Sequence, residues 1–200
     1  MRLPAEQRRV QLLEVAIELF AEHGFHATSM EDIAEAAGVT KPVVYQHFPS
    51  KRALYRELLD DVDTQLTNRL IVATASASTG RERVQEGFAT YFRFVAEHRA
   101  AFRLLFGASV RNDPEFTVVA EATIDRVADL VADLIEIDAA PEHRRALAHA
   151  VVGMAEATSR RTTTDDDDPD RVAGWLAEMA WFGLRGVRAE QPVADRGSGL

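Results

Sequence analysis

Both lysines of this 200-residue chain, Lys41 and Lys51, stand ten residues apart, each directly after a residue able to cap a helix, Thr40 and Ser50. Arg52 follows the second. The N-terminus of a helix carries partial positive charge, so a cation in its first turn is unfavourable by roughly 0.3–1 kcal/mol. The arrangement turns favourable when an anion docks there, because free backbone amides, dipole and ammonium converge on it. A nucleic-acid phosphate is such an anion. Either lysine alone reads equally well as a solvated surface charge. Two such ends bracketing one short helix favour the phosphate.

The residues between the lysines sort by face. Val44 and Phe48, four apart, share one side and are expected to pack with Val39, Ile33 and the preceding helices. Lys41, Pro42, Val43, Tyr45, Gln46 and His47 project outward or sideways, an unusual mixture for a solvent face and a useful one in a DNA groove. Gln46 can read adenine or a phosphate, Pro42 and Val43 can contact a thymine methyl, and Tyr45 and His47 can donate to phosphates. The alternative for Tyr45 and His47 is half-buried packing with their polar tips satisfied.

The elements that position these residues are helical. Val10, Leu13, Ile17 and Phe20 recur at helical steps, and Gly24 with Phe25 supplies a stop. Thr28 and Glu31 have capping-box spacing ahead of a second helix with Met30, Ile33, Ala34 and Ala37 on one face, ended by Gly38. Thr40 can cap the third helix, in which Pro42 is tolerated in the first turn, and Phe48-Pro49 terminates it. Two short helices joined by Gly38-Val39-Thr40 have the dimensions of a helix-turn-helix. Beyond Ser50, helices are predicted over roughly 50–76, 81–107 with a break near His98, 114–137, 141–161 and 170–189, punctuated by Gly, Pro, Ser and Asp. No segment alternates like a strand. The expected fold is all-α.

Composition sets further bounds. Hydrophobic residues make up 46% and charged residues 28%, ordinary values for a globular chain. Cysteine is absent, which removes disulfides, thiolate metal sites and cysteine nucleophiles. The N-terminal segment is interrupted by Glu14 and Glu18, so neither a secretory signal nor a spanning helix is expected, and the expected location is cytoplasmic. A net charge of −9 argues against a nucleic-acid partner until its distribution is considered. Residues 1–57 carry seven basic and eight acidic residues, which leaves −8 for residues 58–200.

The run from Phe25 to Tyr55, FHATSMEDIAEAAGVTKPVVYQHFPSKRALY, resembles the DNA-binding domain of the TetR family of transcriptional regulators over residues 8–56, with Tyr-x-His-Phe-x-x-Lys as its specific element. The resemblance implies a three-helix DNA-binding domain at 1–50, a helical effector-binding and dimerisation domain at 51–190, about nine helices, and a disordered tail at 191–200. It implies a homodimer on a palindromic double-stranded operator, released by an unidentified small-molecule effector, most simply as a repressor. Thr28 resembles the family's phosphate-contacting cap; Lys41, Pro42 and Val43 match its base-reading positions; Tyr45, His47 and Lys51 match its phosphate contacts. Thr40 and Gln46 complete the DNA-binding set. Gln46 stands where many members carry an aromatic or basic residue, and Pro42 where many carry glycine, so the operator sequence does not follow.

The second domain is less legible. Phe88, Tyr91, Phe92, Phe102 and Phe106, then Phe116, Met154 and Trp175, recur at helical spacings. Core packing or a ligand pocket would explain them, core packing being the better reading for any one of them, and they are the ligand-binding candidates because the resemblance implies a cavity. Ala146, Ala150, Gly153, Met154 and Ala157 form a small-residue stripe, and Val172, Trp175, Leu176, Met179, Phe182 and Val187 make the last helix broadly apolar. The resemblance implies that this pair docks against its symmetry mate; packing inside one subunit is the alternative. Neither cofactor nor metal is expected. The aspartates Asp165 to Asp168 lack the alternation and glycine of a calcium loop, and His143 and His149 are six apart. No Gly-x-Ser-x-Gly, Walker loop or His-Glu-x-x-His suggests an enzyme. Two alternatives remain: a helix-turn-helix protein without an effector, and a helical small-molecule-binding protein with a vestigial DNA module.

Overall fold

A computed structural model describes residues 3–106, 113–161 and 168–187. These form nine helices and no strand: α1 (Ala5–His23), α2 (Met30–Ala36), α3 (Lys41–His47), α4 (Lys51–Ala75), α5 (Gly80–Glu97), α6 (Arg99–Phe106), α7 (Pro114–Leu134), α8 (Pro141–Ser159) and α9 (Pro169–Gly186). The break foreseen near His98 separates α5 from α6. The tail at 191–200, the last predicted helical residues 188–189 and Asp165–Asp167 lie outside the described residues.

Two sequence expectations need correction. In α1 the buried stripe is Leu12, Ala16 and Phe20, whereas Val10 is half exposed. At about 100° per residue Val10 lies roughly 200° from Leu12, so the burial of one turns the other outward. At α2 the capping box is Ser29 with Asp32, each side chain accepting from the other residue's backbone amide. Thr28 is not the cap. Its buried hydroxyl donates instead to the carbonyls of Gly24 (2.9 Å) and Leu19 (3.3 Å), which ties the end of α1 to the start of α2.

One continuous apolar core runs from Leu12 in α1 to Ala180 in α9, and α4 threads it from end to end. Near its start, Tyr55 sits among Phe20, Phe25 and Phe116, with ring centroids 4.4–5.1 Å apart, and donates to the Leu104 carbonyl at 3.3 Å. The boundary expected at residue 50 is therefore crossed by shared packing. α5 packs against both α4 and α9, and α7 against α4 and α8.

Candidate functional site

The helix-turn-helix is built locally. Gly38 adopts φ +65°, a left-handed conformation that L side chains rarely take, and the amide of Val39 donates to the Ala34 carbonyl at 2.9 Å. That turn sends α3 across α2. Val44 and Phe48 are fully buried, so the register of α3 is fixed from beneath. On the outer side Thr40, Lys41, Pro42, Tyr45 and Gln46 are exposed, and Val43 and His47 are half-buried at its edges. Tyr45 keeps 46% of its surface. The Lys41 ammonium lies 3.2 Å from Glu31, an exposed pair that a phosphate can replace at little cost. Thr40 occupies the cap position of α3, but its side chain makes no capping hydrogen bond.

Lys51 is placed differently from its sequence expectation. Its ammonium donates to the backbone carbonyls of Phe25 (2.6 Å) and Thr28 (2.7 Å), approaches that of His26 at 3.5 Å, and lies 4.4 Å from the Phe25 ring centroid. Those carbonyl oxygens, neutral but partly negative, give the ammonium acceptors at the start of α4. Burial, then the neighbouring Arg52, pulls its pKa below the ordinary lysine value.

Two arginines fasten this unit to the rest: Arg9, which sequence reasoning missed, and Arg52, which it read only as a cation at a helix start. Arg9 donates to the His47 carbonyl at 3.0 Å, where the C-terminus of α3 welcomes a cation, and pairs with Glu57 of α4. Arg52 reaches Asp113 (3.0 Å) and Glu115 (2.8 Å) at the start of α7, with its guanidinium over Phe116. Its hydrogen bonds hold the Asp113 carboxyl below the usual carboxylate range. Asp113 in turn caps α7 by accepting from the Glu115 amide.

At the opposite end of the bundle the helices part around a cavity of about 380 Å³. Its walls are apolar, from Leu70 of α4, Val84 and Phe88 of α5, Val131 of α7, Val152 of α8 and Trp181 of α9. Two of the eight sequence candidates, Phe88 and Tyr91, line it. Tyr91 Oη is buried without a hydrogen-bond partner, near the buried Ser159, and burial pushes its pKa up to about 12. The remaining six lie elsewhere. Phe92 is buried in the core, and in α6, which packs against α1, Phe102 meets Phe106 at a tilt with ring centroids 5.0 Å apart. Phe116 belongs to the aromatic cluster around Tyr55, Met154 packs half-buried against the core, and Trp175 is 60% exposed.

Trp175, Met179 and Phe182 together form an exposed stripe along α9, at positions i, i+4 and i+7. Ala146, Ala150 and Ala157 of α8 are exposed too, and a methyl group at Gly153 would meet nothing within 4 Å. Among the described residues no helix is long and apolar enough to cross a membrane, and no group of acidic or histidine side chains could hold a metal ion.

A helix-turn-helix with a solvent-facing third helix, joined through a shared core to a hollow helical body, defines a DNA-binding protein with an internal ligand chamber. Comparison with known proteins agrees at both ends. The model of bacterial regulatory proteins of the tetR family matches residues 12–58, and that of the tetracyclin repressor-like C-terminal domain matches residues 80–183. The chain is 33% identical over 190 residues to the HTH-type transcriptional activator FasR of Mycolicibacterium smegmatis, covering 93% of this chain and 87% of FasR. It is 35% identical over 183 residues to the HTH-type transcriptional repressor KstR2 of Rhodococcus jostii, covering 90% and 80%. A TetR-like transcriptional regulator from Rhodococcus sp. RHA1 superposes with a TM-score of 0.79 at 29% identity, over 93% of this chain and all of that one. The chain belongs to the TetR family: it is a DNA-binding transcriptional regulator with a ligand-binding C-terminal domain, and not an enzyme.

Proposed function

We propose that the protein is a cytoplasmic homodimeric repressor that reads a palindromic operator with α3 and lets go when an apolar effector fills the cavity. The observation that carries the DNA side is the division of α3, with Val44 and Phe48 locked inward and Tyr45, Gln46 and Lys41 left on the surface. Lys41, Pro42, Val43 and Gln46 then face bases, and Tyr45, His47 and Thr40 face phosphates. Thr28 and Lys51 act one step back, by holding the loop between α1 and α2 against the start of α4. The DNA-binding unit ends near residue 50 and the effector and dimerisation unit begins at 51, the two sharing α4 as their hinge. Dimerisation uses the Trp175–Met179–Phe182 stripe with the small residues of α8, a self-complementary apolar face that a two-fold partner would cover.

The mechanism follows from which helices do two jobs. α4 and α7 both line the cavity, and their first turns are clamped by Arg52 beneath the DNA-binding helices. An effector that spreads them shifts the separation of the two α3 helices away from the ~34 Å of one DNA turn. Binding that separates the states in this way moves the equilibrium only by its differential affinity. The test maps the DNA protected near the gene itself and measures affinity for that segment. Tyr45→Ala lowers it about tenfold or more at every sequence and leaves the melting temperature unchanged, whereas Gln46→Ala or Lys41→Ala alters base preference. Unaltered affinity in all three removes α3 as the reading element. A Phe182→Glu chain that sediments as the wild type removes the proposed interface. A reporter that falls when the gene is deleted would make the protein an activator, as FasR is named.

A further inference from the structure

The cavity is walled mainly by apolar side chains, with Thr74 and Tyr91 among them, and it carries charge where the partly exposed Arg83, Glu136 and Arg185 join the lining. Arg83 and Arg185 both line it, as do Glu136 and Trp181. Arg83 is largely covered, its guanidinium pairs with Glu136, and its Nε is buried with no hydrogen-bond partner. Glu136, by contrast, is 71% exposed, so it can swing into water without disturbing any packing. Arg185 is exposed, with its guanidinium 5.4 Å from the Trp181 ring centroid, and Trp181 in turn lies against Gly80, where an added methyl would come within 3.4 Å of the ring. The glycine lets the tryptophan close in, and the tryptophan shelves the arginine at the rim.

Two guanidiniums against one carboxylate leave the opening net positive, in the part of the chain that carries most of the −9 charge. A largely covered guanidinium with a donor to spare is an anion receptor whose place is held by an exposed carboxylate. We infer that the effector is an anionic amphiphile: an apolar body fills the cavity, and a carboxylate or phosphate head seats at Arg83 and Arg185, displacing Glu136. This rests on the cavity being the effector site and specifies what enters it. Cationic and zwitterionic ligands are disfavoured because Glu136 alone would receive the cation while both arginines repel it.

The experiment is titration calorimetry on the full chain with three probes of one chain length: decanoate, decyl phosphate and decanol. In the wild type at least one of the anions binds about tenfold tighter than decanol, an advantage that shrinks at high salt because the rim is partly exposed. The tighter anion names the head. Arg83→Gln removes that advantage and moves decanol by less than about twofold. Glu136→Gln acts in the opposite direction and tightens the anion several-fold, which a merely structural ion pair would not do. The inference is overturned if decanol matches both anions, or if Glu136→Gln weakens them as Arg83→Gln does. If none of the three probes binds the wild type, the reading of the cavity as the effector site falls, and this inference with it; decanol binding without preference overturns the head group alone. Should Arg83→Gln fail to fold, the Glu136→Gln and salt arms still decide.

Discussion

The two ends of the helical body are built from the same helices and packed in opposite ways. Near residue 55, α4 and α7 meet through Tyr55 and Phe116, ring against ring at 4.4 Å, with Phe25 closing the cluster. Toward the other end the same two helices contribute Leu70 and Val131 to the wall of a chamber of about 380 Å³. On the proposed mechanism the filled end transmits and the hollow end receives. A lever works only when its fulcrum is stiffer than its loaded arm, and the difference in packing provides that stiffness where the DNA-binding helices attach.

Truncating the same residue type at each end gives the largest break in this contrast. Phe116→Ala opens a hole in a filled cluster and is expected to cost about 3–5 kcal/mol in denaturant unfolding. Phe88→Ala only enlarges an existing void and is expected to cost at least about 1 kcal/mol less; equal costs would mean that the two ends do not differ in packing. Adding volume sharpens the contrast from the other side. Ala34→Leu, in the tight face of α2, costs about 1–3 kcal/mol, whereas Ala155→Leu at the cavity leaves the melting temperature nearly unchanged while lowering effector affinity.

Arg52→Met tests the clamp between the ends. Because Arg52 depresses the Asp113 pKa, the stability it supplies is present above the ordinary carboxyl value of 3.8 and fades as pH falls through the lower folded value. Thermal melts of the two proteins should therefore differ at neutral pH and converge in acid; a gap that persists in acid assigns the effect to the Phe116 stacking instead. The smallest effect is expected from Tyr91→Phe. Removing a buried hydroxyl without a partner is neutral or stabilising by about 1 kcal/mol at most. Since burial raises that phenol from 10.0 to about 12, the wild type loses stability as pH climbs through this window and the variant loses less.

Legibility in the sequence followed the same division. The helix-turn-helix could be read because its whole logic sits within some thirty consecutive residues: Gly38 for the turn, Val44 and Phe48 for the inner face, and Tyr45 and Lys41 for the outer. The cavity could not, because its wall is drawn from five helices between Leu70 and Arg185. Periodicity says that α9 has two apolar faces without saying which one turns inward. Trp175 reads as a pocket candidate on that account, whereas Trp181, six residues on and so on a different face, lines the cavity without being among the candidates. The setting of Lys51 was not legible either: a cation at a helix start requires an acceptor, and sequence alone does not reveal that main-chain oxygens of a neighbouring loop lie within its reach. Arg83 and Gly87, one turn apart on α5 and in line with Tyr91, were the signal that went unused.

The chain has only two indoles, and on the proposed interface and effector site they would report on different events. Trp175 stands on the outer stripe with Arg171 beside its ring, and Trp181 forms part of the chamber wall with Arg185 beside its own. Emission from the first should shift to longer wavelength when subunits part, and emission from the second should change when the chamber fills. With each replaced singly by phenylalanine, assembly and occupancy become separately visible by light alone, without a label on either partner.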